Sequence, residues 1–256
     1  MWAIISDIHG NLAALEFVLR DIRTRGIPEE RILCLGDIVG YGPDPIECVD
    51  HAMAWPVVLR GNHDDAVFND PVAFNPPAKE AIHWTRDLLS PRFLSGPQVR
   101  RRWAWLRDLP TSHFLGRALL VHASPRDPIS EYILPRMCGD GKSELSPDLK
   151  DIFSRFEWTC FVGHTHEPGV VPQTGGFLTP SDLEYRIRLA EDRKYIVNVG
   201  SVGQPRDRNP RSCYVTFDGQ VVEYHRVEYP VELTQERIRR EPRLHPIFAD
   251  RLALGK

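Results

Sequence analysis

The sequence predicts an α/β protein, and three observations carry that prediction. Short, continuously apolar runs alternate with amphipathic stretches through residues 2–60. Each run stops abruptly at a cluster of Gly, Asp, Asn or His. Beyond residue 111 the pattern changes to closely spaced apolar strands joined by turns. Strands apolar on both faces belong to buried, largely parallel sheets, and such sheets bind ligands beyond the carboxyl ends of their strands. With 256 residues and 42% hydrophobic content the chain can bury a sizeable core, and it is expected to form one domain over 1–256.

Trp2-Ala3-Ile4-Ile5 reads as the first strand, opening into Ser6-Asp7-Ile8-His9-Gly10-Asn11. A helix follows with Leu12, Leu15, Val18, Leu19 and Ile22 on one face, stopped by Gly26 and Pro28. Arg31 to Leu35 is the second strand and opens into Gly36-Asp37-Ile38-Val39-Gly40-Tyr41-Gly42-Pro43. After a helix from Pro45 to Ala54, Pro56 to Arg60 is the third strand, opening into Gly61-Asn62-His63-Asp64-Asp65. This is a β-α-β-α-β series with right-handed crossovers expected.

Residues 66–111 read as a helical insertion leaning on the sheet and walling the site. Pro71, Pro76 and Pro77 mark a loop, and Ala78–Leu89 and Val99–Leu109 read as amphipathic helices. Trp84, Trp103 and Trp105 fall here and are read as core, since rings of that area are driven inward. Ser112–Leu115 and Ala118–Val121 form a hairpin about Gly116-Arg117, and its second strand delivers His122 ahead of Arg126. Residues 127–146 read as a long surface loop of the kind that carries substrate contacts. A helix over 148–156 leads to the strand Thr159–Val162 and then to Gly163-His164-Thr165-His166. Strands at 183–189, 195–199, 212–217 and 221–227 read as mostly antiparallel, and 231–256 as a polar helical tail interrupted by Pro242.

Charge and cysteine usage narrow the class. A net charge of −3 and no basic stripe give no strong nucleic-acid signal. Five scattered cysteines without a Cys-x-x-Cys suit reduced thiols, with Cys34 and Cys160 inside strands. Asp7 breaks the N-terminal apolar run, so no signal peptide is expected, and no stretch approaches the roughly 20 residues that span a bilayer. The expected location is cytoplasmic, with no membrane partner and with a homo-oligomer compatible with the sequence.

The strand-end residues Asp7, His9, Asp37, Asn62, His63, His122, His164 and His166 form one constellation. His164 and His166, two apart in extended chain, point to the same side. Carboxylate, imidazole and amide ligands without thiolate suit manganese, iron or zinc better than a structural zinc site does. The set is too large for one octahedral ion. Two ions can use it if a carboxylate bridges them and a water or hydroxide shares the gap. Two aspartates and a hydroxide would then leave about +1 of the metals' charge, which favours an anionic phosphate attacked in line. Asp7, Asp37 and Asn62 also suit helix caps one at a time; alongside the five strand-end histidines the metal reading is preferred. His51, His83, His113, His225 and His245 lie outside the constellation and are read as surface or satisfied polar residues. Asn11, Tyr41, Arg126 and Arg206 are candidate substrate contacts by position, the arginines as phosphate ligands.

The blocks Asp7-x-His9, Gly36-Asp37-x-x-Gly40, Gly61-Asn62-His63-Asp64, His122 and Gly163-His164-Thr165-His166 occur in an order that resembles the calcineurin-like metallophosphoesterases. The resemblance covers roughly residues 2–203 and is closest to the small bacterial and archaeal phosphodiesterases, through Ser6-Asp7-Ile8-His9-Gly10-Asn11 and Gly200 to Asp207. It implies a sandwich of two mixed β-sheets flanked by helices. It implies one divalent ion held by Asp7, His9, Asp37 and His166, and a second by Asp37, Asn62, His122 and His164, with Asp37 as the bridge. Manganese is expected first, with iron, zinc or nickel as alternatives. His63 would be the general acid or a donor to a phosphate oxygen. Phosphoprotein phosphatases of the superfamily carry Asp-Arg where this chain has Gly40-Tyr41, so a small phosphoester, in particular a phosphodiester, is the expected substrate. Ala123 and Val199 stand where close relatives often have Gly and Pro. A nuclease on the same site, or a non-catalytic scaffold of the same fold, are the alternative readings.

Overall fold

Strand β1 (Trp2–Ile5) is apolar throughout because it is buried from both sides. Ala3 and Ile5 face one apolar cluster, with helix α1 (Leu12–Thr24) and helix α2 (Pro45–Ala52), while Ile4 faces another. Strand β2 (Ile32–Cys34) repeats the alternation: Ile32 and Cys34 join the first cluster and Leu33 the second. The same rule holds across the molecule. In β5 (Ala118–Val121) and β6 (Thr159–Val162), Ala118, Leu120 and Phe161 meet that second cluster, whereas Leu119, Val121, Cys160 and Val162 face outward under helix α6 (Pro147–Ser154). The sequence therefore dictates two sheets face to face with helices on both outer surfaces, the sandwich expected above.

This computed structural model describes residues 1–141 and 145–256, so part of the predicted loop 127–146 lies outside the described residues. The six-stranded sheet runs β3 (Val57–Val58), β2, β1, β10 (Ser212–Phe217), β11 (Val221–Val227), β8 (Arg186–Arg188). Its first three strands are parallel, and β1 then pairs antiparallel with β10 in the register Ile4↔Val215. The five-stranded sheet runs β4 (Ser112–Leu115), β5, β6, β9 (Tyr195–Asn198), β7 (Gly169–Pro172). Here β5, β6 and β9 are parallel. The later half is thus less antiparallel than its pattern predicts, because Tyr195–Asn198 joins the second sheet alongside β6 while the strands around it join the first.

Three further differences have local causes. The strand expected over 183–189 shrinks to Arg186–Arg188 because Glu184 and Tyr185 take left-handed conformations (φ 50° and 63°) that end a strand. Strand β7 was not expected, since it starts at Gly169 and ends at Pro172; as an edge strand it tolerates both. Asn62–Ala66 forms a short helix, α3, too brief to show periodicity. The insertion folds as α4 (Pro76–Leu89) and α5 (Pro97–Arg107), but its tryptophans divide. Trp103 and Trp105 pack on the α1–α2 cluster, and Trp84 packs on the tail helices α7 (Val231–Arg240) and α8 (Ile247–Leu254). All five cysteines are buried and unpaired. No helix among the described residues is long and apolar enough to cross a membrane.

Candidate metal centre

The parallel strands β1, β2, β3, β5 and β6 all end at one edge of the sandwich, and each releases its chemistry there. Six side chains at this edge sit on left-handed backbone: Asp7, His9, Asp37, Tyr41, His164 and His166, with φ between 50° and 63°. Non-glycine residues occupy that region at a cost and keep it only where their surroundings over-determine it, characteristically at functional sites. The surroundings are specific. Asp7 N donates to Gly36 O (3.0 Å), His9 N to Asp37 O (2.9 Å) and Gly10 N to Ile38 O (2.8 Å), so the loops after β1 and β2 lock together. Asn198, at the end of β9, donates to Gly163 O and Thr165 Oγ1 (both 2.8 Å) and holds the two-histidine loop. Ser201 Oγ donates to the Asp7 carbonyl (2.9 Å) across the two sheets. A methyl at Gly163 would lie 2.5 Å from Asp7 Oδ2, so the approach of the two loops requires glycine there.

Asp7, His9, Asp37, His63, His122, His164 and His166 are all buried at this edge, and Asn62 is half-buried beside them. His9 Nδ1 donates to Val39 O (3.2 Å) and His166 Nδ1 to Gln204 O (2.6 Å), since a carbonyl can only accept. Both Nε2 atoms are therefore lone pairs, yet they face each other at 3.0 Å. Asp7 Oδ1 lies 3.1 Å from His166 Nε2 and 3.7 Å from His9 Nε2, buried and without a hydrogen bond. Three acceptors converging with no donor between them fit a bound cation. Asp37 Oδ2 lies 3.6 Å from His9 Nε2 and 3.5 Å from His122 Nε2, and His122 Nε2 is 3.1 Å from Asn62 Oδ1. Asp7–His9–His166 and Asp7–Asp37–His122 are accordingly groups able to hold metal, and so is His9–Asp37–His63.

The electrostatics match. Burial and the Asp64 and Asp7 carboxylates push Asp37 well above the usual carboxylate range. Burial pushes the imidazoles of His9 and His63 well down, His122 to about 4 and His164 to about 3. Asp7 is the exception: burial would raise it, but His166, His122 and His9 together hold it low. A divalent ion would favour the ionised carboxylate at Asp37 and the neutral imidazoles at once.

His164 stands slightly apart, with Nε2 3.2 Å from Ser130 O and its ring stacked on Tyr132 (3.9 Å), so ligation there would use its other ring nitrogen. His63 sits on α3 with its backbone N–H on Asp37 Oδ1 (2.8 Å) and its ring between Tyr41 (4.3 Å) and Phe74 (4.8 Å). The cleft above has a volume of about 190 Å³ and is lined by Asp37, Asn62, His63, His164 and His166 below, and by Tyr41, Phe74, Tyr132 and Arg206 around the mouth. Phe74 comes from the insertion, which does wall the site.

Two candidate substrate contacts fall elsewhere. Asn11 is buried, with Oδ1 capping α1 through Ala14 N (3.2 Å) and Nδ2 donating to Gly203 O and the Tyr229 hydroxyl, so its amide is spent on structure. Arg126 lies outside the cleft lining, tied to Glu131, Asp148 and Asp151. Tyr41 and Arg206 line the cleft, with the guanidinium 5.9 Å from the Tyr41 ring centre. Sequence reasoning missed Tyr132, whose signal was the predicted loop around it, and Asp64, which showed only as a motif letter.

Residues 1–220 match the family model described as the calcineurin-like phosphoesterase superfamily domain. An uncharacterized protein of Methanocaldococcus jannaschii is 38% identical, with 100% of this chain and 98% of that protein covered. The crystal structure of a metallophosphoesterase from Sphaerobacter thermophilus is similar at 38% identity and a TM-score of 0.79, covering 99% and 98% of the two chains. A hypothetical protein from Pyrococcus horikoshii shares the fold, with 22% identity, a TM-score of 0.71 and coverage of 100% and 98%.

Proposed function

Because the chain belongs to the calcineurin-like phosphoesterase superfamily, we propose that it hydrolyses a small phosphodiester at a centre holding two divalent ions, manganese first among them. The carrying observation is Asp37 Oδ2, placed 3.6 Å from His9 Nε2 and 3.5 Å from His122 Nε2, which suits one carboxylate oxygen serving two ligand sets. Asp7, His9 and His166 would complete one set, and Asn62, His122 and His164 the other. Metals bound there supply Lewis acidity and lower the pKa of bound water.

The chain's own residues do the rest. Arg206 and Tyr41 bind a non-bridging phosphate oxygen; among the described residues Arg206 has no carboxylate partner, and it donates to Gln204 Oε1 (2.9 Å). His63 stands in the cleft wall with Nδ1 unpartnered, and burial holds its imidazole neutral before substrate arrives. An anionic phosphate beside it favours the imidazolium, which then donates a proton to the leaving oxygen. Phe74 and Tyr132 line the cleft and limit it to a small ester. Gly40-Tyr41 in place of an Asp-Arg pair supports a diester over a phosphoprotein. Rates of the manganese-loaded protein on bis(p-nitrophenyl) phosphate, p-nitrophenyl phosphate and a phosphopeptide test this. The diester should turn over fastest. A phosphopeptide preference, or no turnover of any of the three with any divalent metal, would overturn it.

A further inference from the structure

The constellation takes no residue from helices α7 and α8, yet their hairpin reaches the site at two points. Phe248 on α8, 1% exposed, presses its ring on Tyr41 (4.9 Å between centres). Tyr41 in turn contacts His9 (4.7 Å) and His63 (4.3 Å) while holding a left-handed φ of 59°, a conformation a bulky residue does not keep unsupported. At the far end of the hairpin, Gly255 accepts a hydrogen bond from Arg208 N (2.8 Å), two residues after Arg206. Gly255 has φ 60°, and a Cβ there would lie 2.5 Å from Asn209 N, so this lock needs glycine.

The hairpin is bolted to the elements around the cleft. Arg237 pairs with buried Asp44 at the start of α2, and Arg243 pairs with Glu80 (2.6 Å) and Asp87 (2.7 Å) on α4. Thr234 Oγ1 donates to Asn11 Oδ1 (2.8 Å) in the loop after β1. Tyr41 and Arg206 both lie on loops, and loop side chains keep a binding geometry only when a second layer of packing fixes them. We propose that the hairpin is that layer: Phe248 fixes Tyr41 from behind and Gly255 fixes the turn that follows Arg206, so the two present one phosphate-binding edge. The proposal rests on the assignment of Tyr41 and Arg206 to the substrate phosphate made above. Phe248 is then a positioning residue that acts through Tyr41.

A double-mutant cycle on the full-length, manganese-loaded protein tests it, with inorganic phosphate as the probe, affinity read by calorimetry and metal content read in each preparation. Phe248→Ala should weaken phosphate binding on the order of ten- to hundredfold with metal content unchanged, and Phe248→Leu should restore most of it. Leu244→Ala, in the same apolar cluster but without a ring packed on Tyr41, should leave affinity unchanged. In a Tyr41→Ala background, Phe248→Ala should add nothing. Additive losses, an equal loss in Leu244→Ala, metal lost with Phe248, or a metal-loaded wild type that binds no phosphate would each overturn the proposal. If Phe248→Ala does not fold, the smaller loss in Phe248→Leu must vanish in the same background. Phosphate binding is read without turnover, so a protein that hydrolysed no diester would defeat the function while this cycle still decided the hairpin.

Discussion

At Asp64 one carboxylate accepts four backbone N–H groups, from Asp37 (2.8 Å), Ile38 (3.0 Å), Val39 (3.2 Å) and Gly61 (3.0 Å). It thereby ties the loop after β2 to the start of α3 and sets the distance between Asp37 and His63. Burial pushes its carboxyl up to about 7, against the pull of those four donors. Asp64→Asn replaces one acceptor oxygen by an NH₂ that faces two N–H groups. Leaving two buried donors unmet costs roughly 2–6 kcal/mol, so urea unfolding of the metal-free variant should shift to a markedly lower midpoint, with weaker metal uptake. An unchanged midpoint would remove Asp64 from this role. The residues gathered at the candidate metal centre were legible in sequence because each follows an apolar strand directly. Asp64, Asn198 and Ser201 were not, since they act on backbone groups that only tertiary pairing brings near. Asn11 and Arg126 misled for the converse reason: sequence neighbourhood does not give side-chain direction.

Among the elements, strands buried on both faces were legible to the residue, as at Thr159–Val162, Ser212–Phe217 and Val221–Val227. The edge strands divided: β4 was legible to the residue through its hairpin with β5, whereas β7 was missed and β8 came out shorter, because little packing selects their composition. Pairing order was also hidden: nothing local in Ser212–Phe217 says that it lies beside β1, more than half the chain away. The insertion was legible as two helices, but its part in the site comes from Ala73, Phe74 and Asn75 in the loop before α4 and Ala78 in its first turn, with Phe74 the largest of them. Phe74 sets its ring edge-on to His63 (79° between planes) and closes one wall of the cleft. Phe74→Ala should free the imidazole, lowering kcat/KM on a small phosphoester by about ten- to hundredfold while bound metal is retained. Steady-state kinetics with metal analysis checks this, and unaltered kinetics would show that the insertion merely borders the site.

For the molecule as a whole, the site is the seam between the sheets, with Asp7, Asp37 and Asn62 coming from one and His122, His164 and His166 from the other. The seam fixes how the metal-free fold responds to acid. Burial holds six imidazoles, of His9, His63, His122, His164, His166 and His225, below the ordinary 6.5. Between pH 6.5 and about 4 the unfolded chain therefore binds protons that the folded chain refuses. Burial raises the carboxyls of Asp37, Asp44, Asp64 and Glu167, which act in the opposite sense but are fewer. A net difference of about two protons removes at most about 3 kcal/mol per pH unit. Melting temperatures of chelator-treated protein should fall from pH 6.5 to 5, and a flat or rising profile over that range would contradict the buried neutral imidazoles. The five enclosed cysteines acquire a use from the same architecture. Cys34 belongs to the first sheet and Cys160 to the second, and burial pushes both thiols far above their ordinary pKa. Neither reacts while its sheet is closed. A thiol-labelling time course is therefore a clock for the breathing of each sheet, built into the chain without an engineered probe.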